Sequence, residues 1–135
     1  MKIVYYCPVT DGTFRKMKRI IKIMFPAEII EILHSLEIME DHLRSSLTED
    51  FIILQISSFS ELQSVITLKE LLIDHRIILI LPDDDSGTAT LAHTLRPRLI
   101  TYRDSDFLDV AEVLTRMNFK ADNLYNKQKV SEGGK

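Results

Sequence analysis

Short apolar runs, separated by longer amphipathic stretches, dominate the chain. The runs are rich in Ile, Val, Leu and Tyr, and they do not alternate with polar residues. This pattern is typical of strands that are buried on both faces of a parallel sheet. The sequence predicts five strands: Ile3–Tyr6, Ile29–Leu33, Phe51–Ile56, Ile77–Leu81 and, more weakly, Leu99–Tyr102.

The stretches between these runs carry apolar residues at helical spacing. In the third stretch, Ser60 is followed three residues later by Gln63, which is the spacing of a capping box and predicts a helix that begins at Ser60. The predicted helices follow Phe14–Met24, Leu36–Leu47, Leu62–Leu72, a segment from Asp85 or Ser86 to Thr94 or Leu95, and a segment from Ser105 or Asp106 to Met117.

Strand and helix alternate five times, and each connection is long enough for a crossover helix. Because crossovers between parallel strands are right-handed, this order predicts an α/β fold with a doubly wound parallel sheet. We expect a single domain over residues 1–117, with the flavodoxin-like (βα)5 strand order 2-1-3-4-5. Residues 118–135 are polar and lack periodicity, so we expect a disordered tail there.

Composition excludes several classes of protein. A single cysteine among 135 residues rules out an internal disulfide and a cysteine-based zinc cluster. No apolar run approaches the roughly 18 residues of a membrane span, and the start lacks the pattern of a signal peptide. We therefore expect a cytoplasmic protein that does not contact membranes. The net charge of −3 argues against nucleic acid as a partner.

Ligands of such sheets bind beyond the carboxyl ends of the strands, so the residues at those ends are the candidate site. They are Cys7 and Pro8 after the first strand, Gln55 at the end of the third, Pro82 after the fourth and Tyr102 at the end of the fifth.

The stretch from Lys2 to Met117 resembles the receiver domain of bacterial two-component response regulators. The resemblance rests on the five strand–helix units and on three local phrases, Asp50–Gln55, Arg76–Leu81 and Leu99–Tyr102, which are similar to the third, fourth and fifth strands of that family. It implies the same flavodoxin-like fold and a role in signal transduction.

This chain departs from the receiver pattern at every functional position. The family has two acids that hold Mg²⁺, an aspartate that accepts the phosphoryl group, a hydroxyl residue and a lysine; here those positions are Cys7, Pro8, Gln55, Pro82 and Tyr102. A neutral amide cannot form an acyl phosphate. Arg103, one place beyond Tyr102, should face the other side of its strand. We therefore expect a degenerate receiver (a pseudo-receiver) that is not an enzyme and needs no metal or cofactor.

The resemblance also implies an interaction face made by the fourth helix, the fifth strand and the fifth helix. That face carries His93, Arg96, Arg98 and Arg103. We expect it to bind a protein partner or a second copy of the chain.

Two alternatives remain open. Cys7 and the polar loop after it are similar to the phosphocysteine loop of sugar-phosphotransferase B components, which would make the protein a phosphocarrier. Pro8 removes a backbone donor from that loop, and a buried structural thiol is the favoured interpretation. A remodelled pocket that binds a small ligand is the second alternative.

Other charged residues have simple structural interpretations. The consecutive acids Asp83–Asp85 could hold a cation, with Asp11 of the first loop as the only carboxylate from another strand able to partner them, but we favour their interpretation as helix-capping residues. The cations from Arg15 to Lys22 form a solvated helix face or dock an acidic protein surface. The four histidines show no metal-ligand spacing: His34, His42, His75 and His93.

Overall fold

The computed structural model describes residues 2–26, 29–45 and 51–117. Five strands form at the predicted places: β1 (Lys2–Tyr6), β2 (Ile29–Leu33), β3 (Phe51–Gln55), β4 (Ile77–Leu81) and β5 (Leu99–Tyr102). The helices are α1 (Gly12–Met24), α2 (Leu36–Ser45), α3 (Phe59–Ile66), α4 (Lys69–Leu72), α5 (Ser86–His93) and α6, which covers residues 108–117. Leu47 and the predicted tail over 118–135 lie outside the described residues.

All strand pairs are parallel, and the strand order is β2-β1-β3-β4-β5. This confirms the predicted flavodoxin-like sheet. Successive apolar side chains of β1, β3 and β4 enter opposite apolar layers, because neighbouring residues of a strand point to opposite faces. Ile53 of β3 packs in the layer with α1 and α6, whereas Leu54 packs in the layer with α2, α3 and α5.

The third predicted helix begins two residues earlier than expected and is divided in two. Ser58, not Ser60, is the N-cap: its hydroxyl accepts from the backbone N–H of Glu61 (3.1 Å), and the Glu61 carboxylate accepts from the N–H of Ser57 (2.9 Å). The helix breaks at Thr67, whose N–H bonds back to Ser64 and so tightens the last turn.

The caps of the last two helices come from the predicted residues. The Asp85 carboxylate accepts from the N–H groups of Gly87 (2.9 Å) and Thr88 (3.4 Å), as expected for an N-cap. Before α6, the Ser105 hydroxyl accepts from the N–H of Phe107 and the Asp106 carboxylate from that of Leu108, both at 3.0 Å. The described helices include none that is long and apolar enough to cross a membrane.

Candidate functional site

Two depressions lie at the carboxyl ends of the strands. The first, which we call the Gln55 cleft, has a volume of about 200 Å³ and is lined by Pro8, Val9, Asp11, Gln55, Ile56, Ser57 and Arg103. The second, the acidic hollow, has a volume of about 440 Å³ and is lined by Pro82, Asp83, Asp84, Tyr102 and Asp104. The residues expected at a single site are therefore divided between two places.

Gln55 lies at the bottom of its cleft and is only 7% exposed. Its side chain is held on both sides. The Tyr5 hydroxyl donates to Oε1, and Nε2 donates to the Asp11 carboxylate at 3.5 Å. Asp11 is itself fixed as the N-cap of α1, where it accepts from the N–H of Phe14 at 3.0 Å. The amide thus joins the centre of β1 to the start of α1.

The Tyr5 hydroxyl is the donor to the amide oxygen in this network. Its side chain is fully buried, and the ring stacks on Phe14 with 5.5 Å between centroids. Burial raises the pKa of Tyr5 well above its ordinary value, and Cys7 and Asp11 add to the shift. The phenol therefore remains protonated, and able to donate to the amide oxygen of Gln55, to a higher pH than an exposed tyrosine would.

Cys7 directly precedes Pro8, which lines the cleft, and is fully buried. Its thiol donates to the carbonyl of Val9 at 2.8 Å, and its own carbonyl lies 2.7 Å from Nδ1 of His34. Burial raises the pKa of the Cys7 thiol to about 11, even though the bond to Val9 opposes the shift. A phosphocysteine carrier needs an accessible thiolate, so both the burial and the pKa oppose that alternative.

We predict that Cys7 resists thiol reagents at pH 8 until the protein opens. The folded pKa is raised, so the native thiolate appears only as the pH rises toward about 11. The measurement is the rate of labelling by a chromogenic disulfide reagent. A matched control carries Val9→Cys with Cys7→Ala; because Val9 is 51% exposed, this cysteine should react promptly. Labelling of native Cys7 at the control rate would contradict the prediction.

The ends of β4 and β5 do not match the expectation from the sequence. Tyr102 was expected at the site and Arg103 on the other face, and the structure reverses them. Ile100 and Tyr102 pack against the layer that contains Leu54, so Tyr102 lies in the acidic hollow with Pro82. Strand alternation then brings Arg103 to the side of Gln55, where it lines the cleft.

Two of the three consecutive acids at the end of β4 accept backbone hydrogen bonds, whereas the side chain of Asp84 has no hydrogen bond to a described residue. Asp85 caps α5, and the carboxylate of Asp83 accepts from the N–H of Asp85 at 3.0 Å. Asp83 and Asp84 are exposed. Within residues 2–26, 29–45 and 51–117, no group of three or more His, Cys, Asp or Glu side chains is arranged to hold a metal ion.

The cations expected on an interaction face are all exposed: His93, Arg96, Arg98 and Arg103. They follow one another from the end of α5 to the end of β5, which is an edge strand of the sheet. Arg96 has a positive φ of 53°, which turns the chain between α5 and β5. None of the three arginines forms an ion pair with a described residue.

The basic stripe of α1 divides into two groups. The ammonium of Lys16 donates to the carbonyl of Ser105 and lies 4.7 Å from the centroid of Phe107. Lys18 lies 5.7 Å from the centroid of Phe14. Arg15, Arg19 and Lys22 are exposed, as expected for a solvated helix face.

Sequence reasoning missed the role of Tyr5 and assigned Asp11 only as a possible metal ligand. One signal was available for Tyr5: a hydroxyl in the middle of a strand that is buried on both faces must find a hydrogen-bond partner. That the partner is Gln55 depends on the register in which Tyr5 lies opposite Ile53, two residues before the amide.

No protein-family model matches the sequence, and no curated protein is similar to it. Solved structures are similar in fold. A signal receiver domain of a two-component histidine kinase from Clostridium thermocellum has a TM-score of 0.68 at 11% identity, over 84% of this chain and 93% of that one. A CheY-like response regulator receiver domain from Methanospirillum hungatei has a TM-score of 0.62 at 11% identity, over 93% and 97% of the two chains.

A pilus assembly protein, CpaE, from Caulobacter crescentus has a TM-score of 0.61 at 12% identity, over 86% of this chain and 98% of that one. The fold is that of a receiver domain. At this identity the likeness extends to the fold alone, because one fold supports many functions.

Proposed function

We propose that this protein is a receiver-like regulatory module that acts through a protein partner and is not switched by phosphorylation. One observation carries the proposal. At the end of β3, where the receiver resemblance expects the phosphoacceptor carboxylate, the amide of Gln55 is held between the Tyr5 hydroxyl and the Asp11 carboxylate.

The chemistry of phosphoryl transfer has no support at this position. An amide is not nucleophilic and cannot form an acyl phosphate. Receivers hold Mg²⁺ with two acids after the first strand. Here those positions are Cys7, a buried protonated thiol, and Pro8, and neither is a ligand for a hard cation. Without the metal, the charge of an incoming phosphoryl group would not be neutralised.

The face from α5 through β5 to α6 supports binding to a protein. Arg96, Arg98 and Arg103 are exposed on it without ion partners among the described residues. Exposed cations that the described residues do not neutralise attract an acidic surface and speed its association. We propose that the acidic surface belongs to a separate protein or to a second copy of the chain.

Phosphorylation independence is tested by an amide-resolved NMR titration with Mg²⁺ and then beryllofluoride, followed by intact mass after incubation with acetyl phosphate. We expect no saturable shift at Gln55, Asp83 or Tyr102 and no phosphorylated species. Saturable shifts with beryllofluoride, or a stable phosphoryl adduct, would show that the site is active and would overturn this part of the proposal.

Partner binding is tested in cells with a photo-crosslinking amino acid at Arg98 and, as a matched control, at Arg19 on α1. Both positions are exposed arginines, one on α1 and the other directly before β5. We expect a specific adduct from position 98 that disappears when Arg96→Glu is added. Equal yields from positions 98 and 19, or an adduct indifferent to Arg96→Glu, would argue against this interaction face.

A further inference from the structure

We propose that the Gln55 cleft binds a small zwitterion of the α-amino acid type. The ammonium group would lie on the Asp11 carboxylate, and the carboxylate group would bridge the guanidinium of Arg103 and the amide N–H of Gln55. This inference goes beyond the proposed function, because it assigns a ligand to a cleft whose phosphoryl chemistry is lost.

Two opposite charges line this small cleft without neutralising one another. Arg103 forms no ion pair with Asp11 or with any other carboxylate of the described residues. One oxygen of Asp11 accepts from Phe14 and Gln55, which leaves the other oxygen for a ligand. A molecule that carries both charges could contact both groups with charge-assisted hydrogen bonds.

The amide of Gln55 provides a second, independent indication. Its Oε1 accepts from Tyr5, and one N–H points to Asp11 at the long distance of 3.5 Å. The other N–H has no acceptor among the described residues, although the side chain is only 7% exposed. A carboxylate oxygen of a ligand would accept from this second N–H without displacing a hydrogen bond that the described residues already form.

The size and walls of the cleft restrict the ligand. Its volume of about 200 Å³ lies below the range of roughly 300–1,000 Å³ for drug-sized ligands, which favours a small metabolite. Pro8, Val9 and Ile56 contribute apolar surface that suits a short aliphatic side chain.

Ligands of a single charge fit less well. A phosphate dianion would meet the carboxylate of Asp11 and only one cation, Arg103. A divalent metal ion would find only one carboxylate among the lining residues and would be repelled by the same arginine. The cleft as a whole carries one charge of each sign, which is the complement of a zwitterion.

The test is an amide NMR titration of the full chain with each of the twenty standard amino acids, up to about 10 mM. We expect saturable shifts at Asp11, Gln55 and Arg103 for at least one small aliphatic amino acid. The matching carboxylate without the amine, and the matching amine without the carboxylate, should each bind at least about tenfold more weakly. No saturable shift with any amino acid, or equal binding of a single-charge analogue, would overturn the proposal.

Variants then assign the contacts. Arg103→Gln and Asp11→Asn should each weaken binding about tenfold or more, and asparagine preserves the N-cap of α1. The control is Arg19→Gln on α1, an exposed arginine that does not line the cleft. If the Arg103→Gln variant binds the amino acid as tightly as the unmodified protein does, the assignment of Arg103 as a ligand contact is overturned. These titrations use neither phosphoryl donors nor a protein partner, so their failure is distinguishable from failure of the proposed function.

Discussion

Replacing Phe107 by alanine is expected to lower the free energy of unfolding by about 3–5 kcal/mol, the range observed when a buried phenylalanine is truncated. Phe107 is fully buried and packs with Val110 and Leu114 of α6. The ammonium of Lys16 lies over its ring and also bonds to the carbonyl of Ser105. The Phe107 ring therefore joins helix α1 to the segment that connects β5 with α6.

The measurement is urea-induced unfolding followed by circular dichroism. Leu108→Ala is a matched control at the adjacent position: Leu108 is 67% exposed, so its truncation should change stability by no more than about 0.5 kcal/mol. If Phe107→Ala prevents folding, Phe107→Leu keeps most of the apolar volume and should show a smaller loss in the same direction. A loss for Phe107→Ala no greater than that of the control would refute this account of the loop.

Removing the hydroxyl of Tyr5 with Tyr5→Phe is expected to destabilise the protein by about 1–3 kcal/mol. The change deletes no apolar surface, but it leaves Oε1 of Gln55 buried without its donor. The effect should therefore come from an unsatisfied acceptor and not from lost packing.

A double-mutant cycle separates these causes. Gln55→Leu should also be destabilising, since it leaves the buried Tyr5 hydroxyl without its acceptor. The double variant Tyr5→Phe/Gln55→Leu should lose less free energy of unfolding than the sum of the losses in the two single variants. Tyr102→Phe is the control, because Tyr102 is only half-buried and its hydroxyl has no hydrogen bond to a described residue. Strict additivity of the two changes would mean that the hydrogen bond contributes nothing.

Phe107 and Tyr5 hold different parts of the Gln55 cleft in place. Phe107 anchors the loop that begins with Arg103, and Tyr5 orients the amide of Gln55. The cleft is thus bordered by groups whose positions depend on the core, as expected for a site built on a rigid scaffold. Variants that loosen either anchor should weaken binding in the cleft without removing a ligand contact.

The order of strands and helices could be predicted from the sequence because each element carries its own periodicity. Five runs buried on both faces, separated by amphipathic stretches, leave few topologies once crossovers must be right-handed. The same local logic identified Asp85 as a cap and Gln55 as the end of β3. It failed at Ser60, because Ser58 and Glu61 form the same type of capping pair two residues closer to the end of β3.

Local patterns could not determine which side chains meet across the sheet. Tyr102 and Arg103 exchanged their expected places because a one-residue difference at the end of a strand reverses the face to which a side chain points. Pairing of Tyr5 with Gln55 joins residues 50 positions apart and depends on the register of β1 against β3. The sequence by itself determined the elements, their order and the absence of a carboxylate at position 55. Only the tertiary structure decided that the replacing amide is held by a buried phenol and that Arg103 shares its cleft, because both depend on distances between separate strands.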